Sequence, residues 1–159
     1  ARYLQAQVEI ALDTAKTLAQ AFAVIHHPEE PVALSREQAN AMLRNVFEEN
    51  PDFLAVYTLW EPNAFDGQDA EYANTTGHDA TGRFIPKWIR SSDGITLEPL
   101  IGYEKAGTGD YYLVAKKTQS AAILDPYRFP SAGKEALVTT LVVPITVAGK
   151  FYGITGVDL

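Results

Sequence analysis

An α+β fold with a single antiparallel sheet is predicted by three observations. Two helical segments come first, and five or six strand-like segments follow without interleaved helices. The last two strands flank Ala148-Gly149, a pair suited to a tight hairpin. The opening helix carries a long apolar stripe that can lie alongside a sheet. At 159 residues the chain fits one domain.

The first helix runs from Tyr3 to about Ile25. Leu4, Val8, Ala11, Ala15, Leu18, Phe22 and Ile25 step alternately by four and three, which is the spacing of a coiled-coil seam. Two readings stand side by side here. The helix packs on its own domain, or its N-terminal half pairs with a second subunit, the small alanines allowing close approach. His26-His27-Pro28-Glu29-Glu30-Pro31 then breaks the chain. Ser35 with Gln38 three residues on predicts a capping box. Ala39, Met42, Leu43, Val46 and Phe47 make the apolar face of a second helix, stopped at Asn50-Pro51. The organisation expected is therefore a long helix and break over 1–34, then a mixed module over 35–159.

From Phe53 the pattern turns to β. Phe53 to Trp60 reads as a strand apolar on both faces. The polar stretch Glu61 to Gly82 reads as a long loop, and a loop of that length is usually functional. It is expected to act as a lid. Strands are expected at 83–90, 95–100 and 111–118, then a short apolar run at 121–127, and finally 138–147 and 151–159.

Composition closes off several function classes. The net charge is −7 and the pI about 4.9, which argues against binding nucleic acid or anionic lipid. With no cysteine, disulfide frameworks, thiolate metal sites and thiol nucleophiles are excluded. The three histidines show no ligand spacing, so no metal and no cofactor is expected. The serines fall in no nucleophile motif, and no phosphate-cradling glycine pattern occurs. No catalytic residue is assigned. The longest apolar run falls short of a membrane span. Both ends read as interrupted elements, a helix at Ala1-Arg2-Tyr3-Leu4 and a strand at Gly156 to Leu159, as expected of a piece of a longer protein.

What remains is aromatic side chains interleaved with charge: Trp88, Arg90, Tyr103, Tyr111, Tyr112, Asp125, Tyr127 and Asp158. Trp88 and Arg90 are two apart, so on a strand they share a face. Asp158 lies between Val157 and Leu159 in a strand that should be buried, and a carboxylate there needs a partner. Two readings remain open: an internal Arg90–Asp158 pair with tyrosines filling the core, or a polar-lined aromatic pocket for a small charged molecule.

Four stretches resemble a known family. They are Gly82-Arg83-Phe84-Ile85-Pro86-Lys87-Trp88-Ile89-Arg90, Gly109-Asp110-Tyr111-Tyr112, Ile123-Leu124-Asp125-Pro126-Tyr127, and the closing Val138 to Ile145 leading to Gly149 through Leu159. The pattern is similar to the Cache (PAS-like, PDC) extracellular sensor domains of bacterial chemoreceptors and sensor histidine kinases. The G-x-x-G-V-D ending is its most specific part. The resemblance implies a central antiparallel sheet of about five strands with the long helix along one side, and a site on a sheet face. Amino-acid-binding members carry an Arg just before a Trp-Tyr pair and an Asp two residues after a Pro-Tyr turn. Here Pro86 and Lys87 precede Trp88, Ile89 follows it, and Phe129 stands at the Asp position.

The function so implied is non-enzymatic. It is a periplasmic domain of an inner-membrane receptor, anchored by segments outside this chain, that binds a carboxylate, amino acid or amine. The signal would pass through the N-terminal helix of a homodimer. Arg90 is expected to grip a carboxylate, Asp125 and Asp158 an ammonium, with Trp88, Tyr103, Tyr112 and Tyr127 as walls. A ligand-free structural or dimerising module and a histidine-kinase sensor are the alternatives.

Overall fold

The computed structural model describes residues 2–131 and 134–159, and side chains outside 125–136. Helix α1 (Arg2–Ala23) ends in a 3-10 turn (Val24–His26), and α2 (Arg36–Glu49) follows the break. The strands are β1 (Ala55–Trp60), β2 (Pro86–Ser91), β3 (Gly94–Pro99), β4 (Ala122–Ser131), β5 (Lys134–Val147) and β6 (Lys150–Asp158). Two further helices, α3 (Asp69–Tyr72) and α4 (Asp110–Thr118), lie in the connections. Among the described residues the strands form one antiparallel sheet in the order β3-β2-β1-β6-β5-β4. The fold is the α+β arrangement expected, with six strands where five or six were anticipated.

The central strand β1 is buried on every residue, so both faces of the sheet are covered. Alternation sorts the side chains. Val56, Trp60, Trp88, Leu141, Val143 and Val157 face α1 and α2, while Ala55, Tyr57, Leu59, Ile89, Val142 and Ile154 face the other way. On the first face α1 presents Ala11, Ala15, Leu18, Ala19 and Phe22, all buried. Its alanines let the backbone come close enough for the Thr155 hydroxyl to donate to the Ala15 carbonyl at 2.7 Å. Small residues serve approach to the chain's own sheet over this half of the helix. Leu18 is 5% exposed, whereas Leu4 is 69% exposed. The seven-residue pattern therefore has two halves with different surroundings, and of its positions Leu4 is the exposed one.

Helix α2 starts as the sequence predicts. Ser35 accepts from the Gln38 amide at 3.0 Å, and the Gln38 side chain accepts from the Ser35 amide at 2.9 Å. The hairpin prediction also holds, since Val147 pairs with Lys150 across Ala148-Gly149. Both turn residues have positive φ, +51° and +79°.

The strand expected at 111–118 is instead α4. Asp110 in its first turn and Lys116 and Lys117 in its last suit the helix dipole. Tyr112, Ala115 and Lys116 follow helical spacing, and the β-rich composition of Tyr111-Tyr112-Leu113-Val114 outweighed that signal in the sequence reading. The long polar loop differs as well. Buried Arg36 reaches into it, donating to Asp66 at 2.8 and 2.9 Å, to Asp69 at 2.8 Å and to the Gly82 carbonyl at 2.7 Å. Its guanidinium also stacks over Tyr72 at 4.0 Å. Residues 61–82 are thus fastened under the start of α2 rather than hung over the sheet as a lid. The segment that roofs the second face is 100–118, through Leu100, Tyr103, Tyr112 and Ala115.

Candidate ligand site on the second sheet face

The two residues expected to lead the site lie on the sheet face opposite Asp158. Trp88 and Arg90 share a face, as their spacing requires, but it is the face toward α2. The Trp88 indole donates to Asn40 at 3.1 Å. Arg90 satisfies the carbonyls at the end of α2: it donates to Phe47 at 2.6 Å, to Asn50 at 3.0 Å and, just beyond, to Phe53 at 3.1 Å. Helix ends leave such carbonyls without the regular i+4 amide donor, and a cation there also suits the dipole. Arg90 therefore neither pairs with Asp158 nor points at it, because Asp158 occupies the opposite side of the sheet. The expected Arg90–Asp158 neighbourhood is corrected by register: Ala55 pairs with both Ile89 and Asp158, so Asp158 shares the face of Ile89 and not that of Arg90.

Asp158 lies on the second face, and its surroundings are built by neighbouring strands. Its Oδ1 accepts from the Thr140 hydroxyl on β5 at 2.9 Å and from the Tyr57 hydroxyl on β1 at 3.2 Å. Lys87 on β2 places Nζ 3.9 Å from Oδ2. Burial pushes this carboxyl above the usual carboxylate range, opposed by the Lys87 charge and the two hydroxyl donors. The ring of Tyr57 lies across β6 at Gly156, where a Cβ would sit 2.2 Å from the ring. Next to it Gly153 lets β6 approach β1, since a Cβ there would come within 2.3 Å of the Leu59 carbonyl oxygen. The glycines of the G-x-x-G-V-D ending thus have separate tasks: one brings the strands together and one seats a tyrosine over the aspartate's neighbour.

Above this floor Tyr57 meets the edge of Tyr111, with centroids 5.9 Å apart and planes at 80°. Tyr111 donates to the Ile101 carbonyl at 3.0 Å, which ties α4 to the segment before it. The other end of the face is closed by charge. Arg83 donates to the Trp60 carbonyl at 3.0 Å and to Glu61 at 3.3 Å, and stacks on Tyr103 and Tyr112. Tyr112 donates to Glu61, which also receives Lys116 at 2.7 Å. Burial, then the Glu61 contact, raises the Tyr112 phenol above its ordinary value. Tyr103 donates to Asp79 at 2.7 Å. Burial acts to raise Asp79, but hydrogen bonds from Thr81 and Tyr103 outweigh it and leave it lowered.

Of the seven predicted site residues, the structure brings Tyr103, Tyr112 and Asp158 to one face, and puts Trp88 and Arg90 on the other. The side chains of Asp125 and Tyr127 lie outside the described residues. Tyr57, Lys87 and Thr140 were given no role in the sequence reading, and Tyr111 was placed in the aromatic cluster without one. For Lys87 a signal existed: a lone charge inside the apolar run from Phe84 to Ile89. Tyr57 and Thr140 carry no local signal, because only the register beside β6 brings them to Asp158.

The family described as methyl-accepting chemotaxis protein-like, first PDC sensor domain, matches residues 39–159. Over 136 residues the chain is 29% identical to the methyl-accepting chemotaxis protein TlpQ of Pseudomonas aeruginosa, covering 78% of this chain and 19% of that protein. Its structure resembles the extracellular domain mmHK1S-Z3, assigned to a histidine kinase, with 32% identity and a TM-score of 0.83 over 99% of this chain and 53% of that one. It shares its fold with methyl-accepting chemotaxis protein X at a TM-score of 0.80 and 24% identity, covering 100% of this chain and 57% of that one. The chain thus spans about a fifth of the curated relative and about half of the solved ones. The matched residues run from α2 through the G-x-x-G-V-D strand, and this chain belongs to the family of methyl-accepting chemotaxis protein-like first PDC sensor domains.

Proposed function

We propose that this chain is the periplasmic ligand-binding module of a transmembrane chemoreceptor, and that its ligand is a small organic molecule bearing an ammonium group, free or as part of an amino acid. The observation that carries this reading is Asp158: a buried carboxylate ringed by hydroxyls, with its nearest described cation 3.9 Å away, beyond hydrogen-bond reach. Stability alone gives a core little reason to keep such a group, since replacing a buried ion pair by apolar residues is often neutral or stabilising. A site for a cation has direct use for it, and the tyrosines above supply aromatic faces. Kinship with an extracellular domain assigned to a histidine kinase supports kinase output as the second reading.

Asp158→Asn should abolish the thermal stabilisation given by any binding compound found in a screen of amines, amino acids and organic acids. A ligand at 100 times Kd stabilises by about 2.7 kcal/mol, so the loss is readily measured. Arg90→Ala is the contrast. It should lower stability by about 1.5–3 kcal/mol, because charged hydrogen bonds to α2 are lost, and leave the ligand shift intact. Loss of binding in Arg90→Ala with unchanged melting would reverse the assignment of faces.

The signalling path of this proposal is short. Strand β6 carries Asp158 on one face and, on the other, Thr155 bonded to α1. A ligand that shifts β6 therefore moves against α1 directly. Tyr3, Leu4 and Ile10 are exposed on the first half of that helix, where the second copy of a dimer would pack. The chain holds no cysteine, so Leu4→Cys places a unique thiol in this segment. In the intact receptor it should form a disulfide-linked dimer at a rate that ligand changes; monomer under full oxidation would rule out the parallel pair.

A further inference from the structure

The two oxygens of Asp158 have different surroundings. Oδ1 is engaged by Thr140 and Tyr57, while Oδ2 faces the Lys87 ammonium at 3.9 Å. Lys87 stands on β2, opposite Tyr57 of β1, and Asp158 stands on β6, opposite Ala55 of β1. To reach Asp158 the lysine chain extends across β1 past the short Ala55 side chain. On its other side Lys87 is directly opposite Glu98 of β3. Opposed residues on neighbouring antiparallel strands share a face, with Cβ atoms about 4.5–5.5 Å apart. Glu98 is exposed and sits on the edge strand. Lys87 therefore has a buried carboxylate inward and a solvated carboxylate outward, both within reach of a four-carbon stem.

Resting on the reading of Asp158 as the ligand's anchor, we propose that Lys87 is an exchangeable counter-ion: it holds the ammonium position when the site is empty, and a cationic ligand binds by taking that position while Lys87 turns outward to Glu98. The exchange conserves charge. Asp158 and Lys87 make a neutral buried pair before binding, and Asp158 and the ligand make one afterwards. The released lysine meets Glu98 in a solvated setting, where it costs little. A cation added without this exchange would put two positive charges at one buried carboxylate. A simple carboxylate would meet Asp158 with the wrong sign. Lys87 thus selects cations strong enough to replace it and sets the affinity at which they do so.

The test is isothermal titration of this chain at about pH 8, where small amines keep their charge. The probes are short alkyl mono- and diamines and the matched carboxylic acids, applied to the wild type, Lys87→Met, Glu98→Gln and the double variant. Lys87→Met should tighten amine binding about tenfold, because the internal competitor is gone. Glu98→Gln should weaken it about threefold in the wild type and have no effect once Lys87 is replaced, the signature of coupled residues. If Lys87→Met fails to fold, Glu98→Gln alone decides, and unchanged amine affinity overturns the exchange. Weaker amine binding in Lys87→Met also overturns it, as does a carboxylic acid that binds and is lost there, since Lys87 would then grip the ligand. Absence of any amine binding overturns it too. In that case a compound of another class whose binding Asp158→Asn abolishes still upholds the site, and absence of binding by every compound in the wider screen removes both readings.

Discussion

Arg36→Met is expected to destabilise the domain by about 3–5 kcal/mol, because it strips the cation from the buried Asp69 and the half-buried Asp66. Arg36 is 2% exposed and holds Asp66, Asp69 and the Gly82 carbonyl together. For a domain of this size such a loss lowers the melting temperature by roughly 6–20 °C. The pH dependence gives a second signature. Burial acts to raise the Asp66 carboxyl, but the Arg36 contacts and the Gln68 amide outweigh it and leave it below its ordinary value. A group lowered in the folded state contributes stability that is present above its unfolded pKa, about 3.9, and is lost as pH falls through the folded value. The gap between wild type and Arg36→Met should therefore be widest near neutral pH and shrink below about pH 4. Equal melting of the two proteins at neutral pH would show that the 61–82 segment is held by other means. Hydrogen exchange confined to that segment would show in turn that Arg36 fastens a loop without supporting the rest.

Gly156→Ala should remove ligand binding and cost about 1–3 kcal/mol of stability, the usual range for forcing atoms into a filled space. The new methyl carbon would lie 2.2 Å from one Tyr57 ring carbon, 2.3 Å from the next and 2.6 Å from the hydroxyl oxygen. The ring cannot simply lift, since Tyr111 stands against it and Asp158 accepts its hydroxyl. Moving the ring breaks that hydrogen bond and displaces a side chain that Asp158 depends on. Tyr57→Ala in the same protein should recover part of the stability by making room for the methyl, but not the binding. A Gly156→Ala protein that melts and binds as the wild type does would mean that Tyr57 has room to shift, and that its seat on β6 is not part of the site.

The elements most legible in the sequence are those specified by short-range rules. The capping box at Ser35 and Gln38 appears as read, because a side chain and an amide three residues apart suffice to make it. The Ala148-Gly149 hairpin appears as read, because two residues with positive φ decide it. The α1 stripe was legible as a stripe, yet its partner was not. Seven-residue spacing says that a face is apolar, and both a sheet and a second helix satisfy it. Helix α4 was misread because side chains that suit a strand were weighed above the charges placed at its two ends.

Residue chemistry and alternation were enough to determine that Asp158 sits in a buried strand, that Trp88 and Arg90 share a face, and that the chain folds as a sheet with a long helix beside it. Which face each residue joins was a matter for the tertiary structure alone. Alternation fixes parity within a strand, but the relation between strands depends on register, and here the register pairs residues far apart in the chain, such as Ala55 with Asp158. The pairing of Ala55 with both Ile89 and Asp158 puts Lys87 and Tyr57 on the aspartate's side and sends Arg90 to the end of α2. A one-residue slip would exchange them, which is why a charged residue two positions from a tryptophan looked like a binding group in the sequence and is a helix cap in the fold.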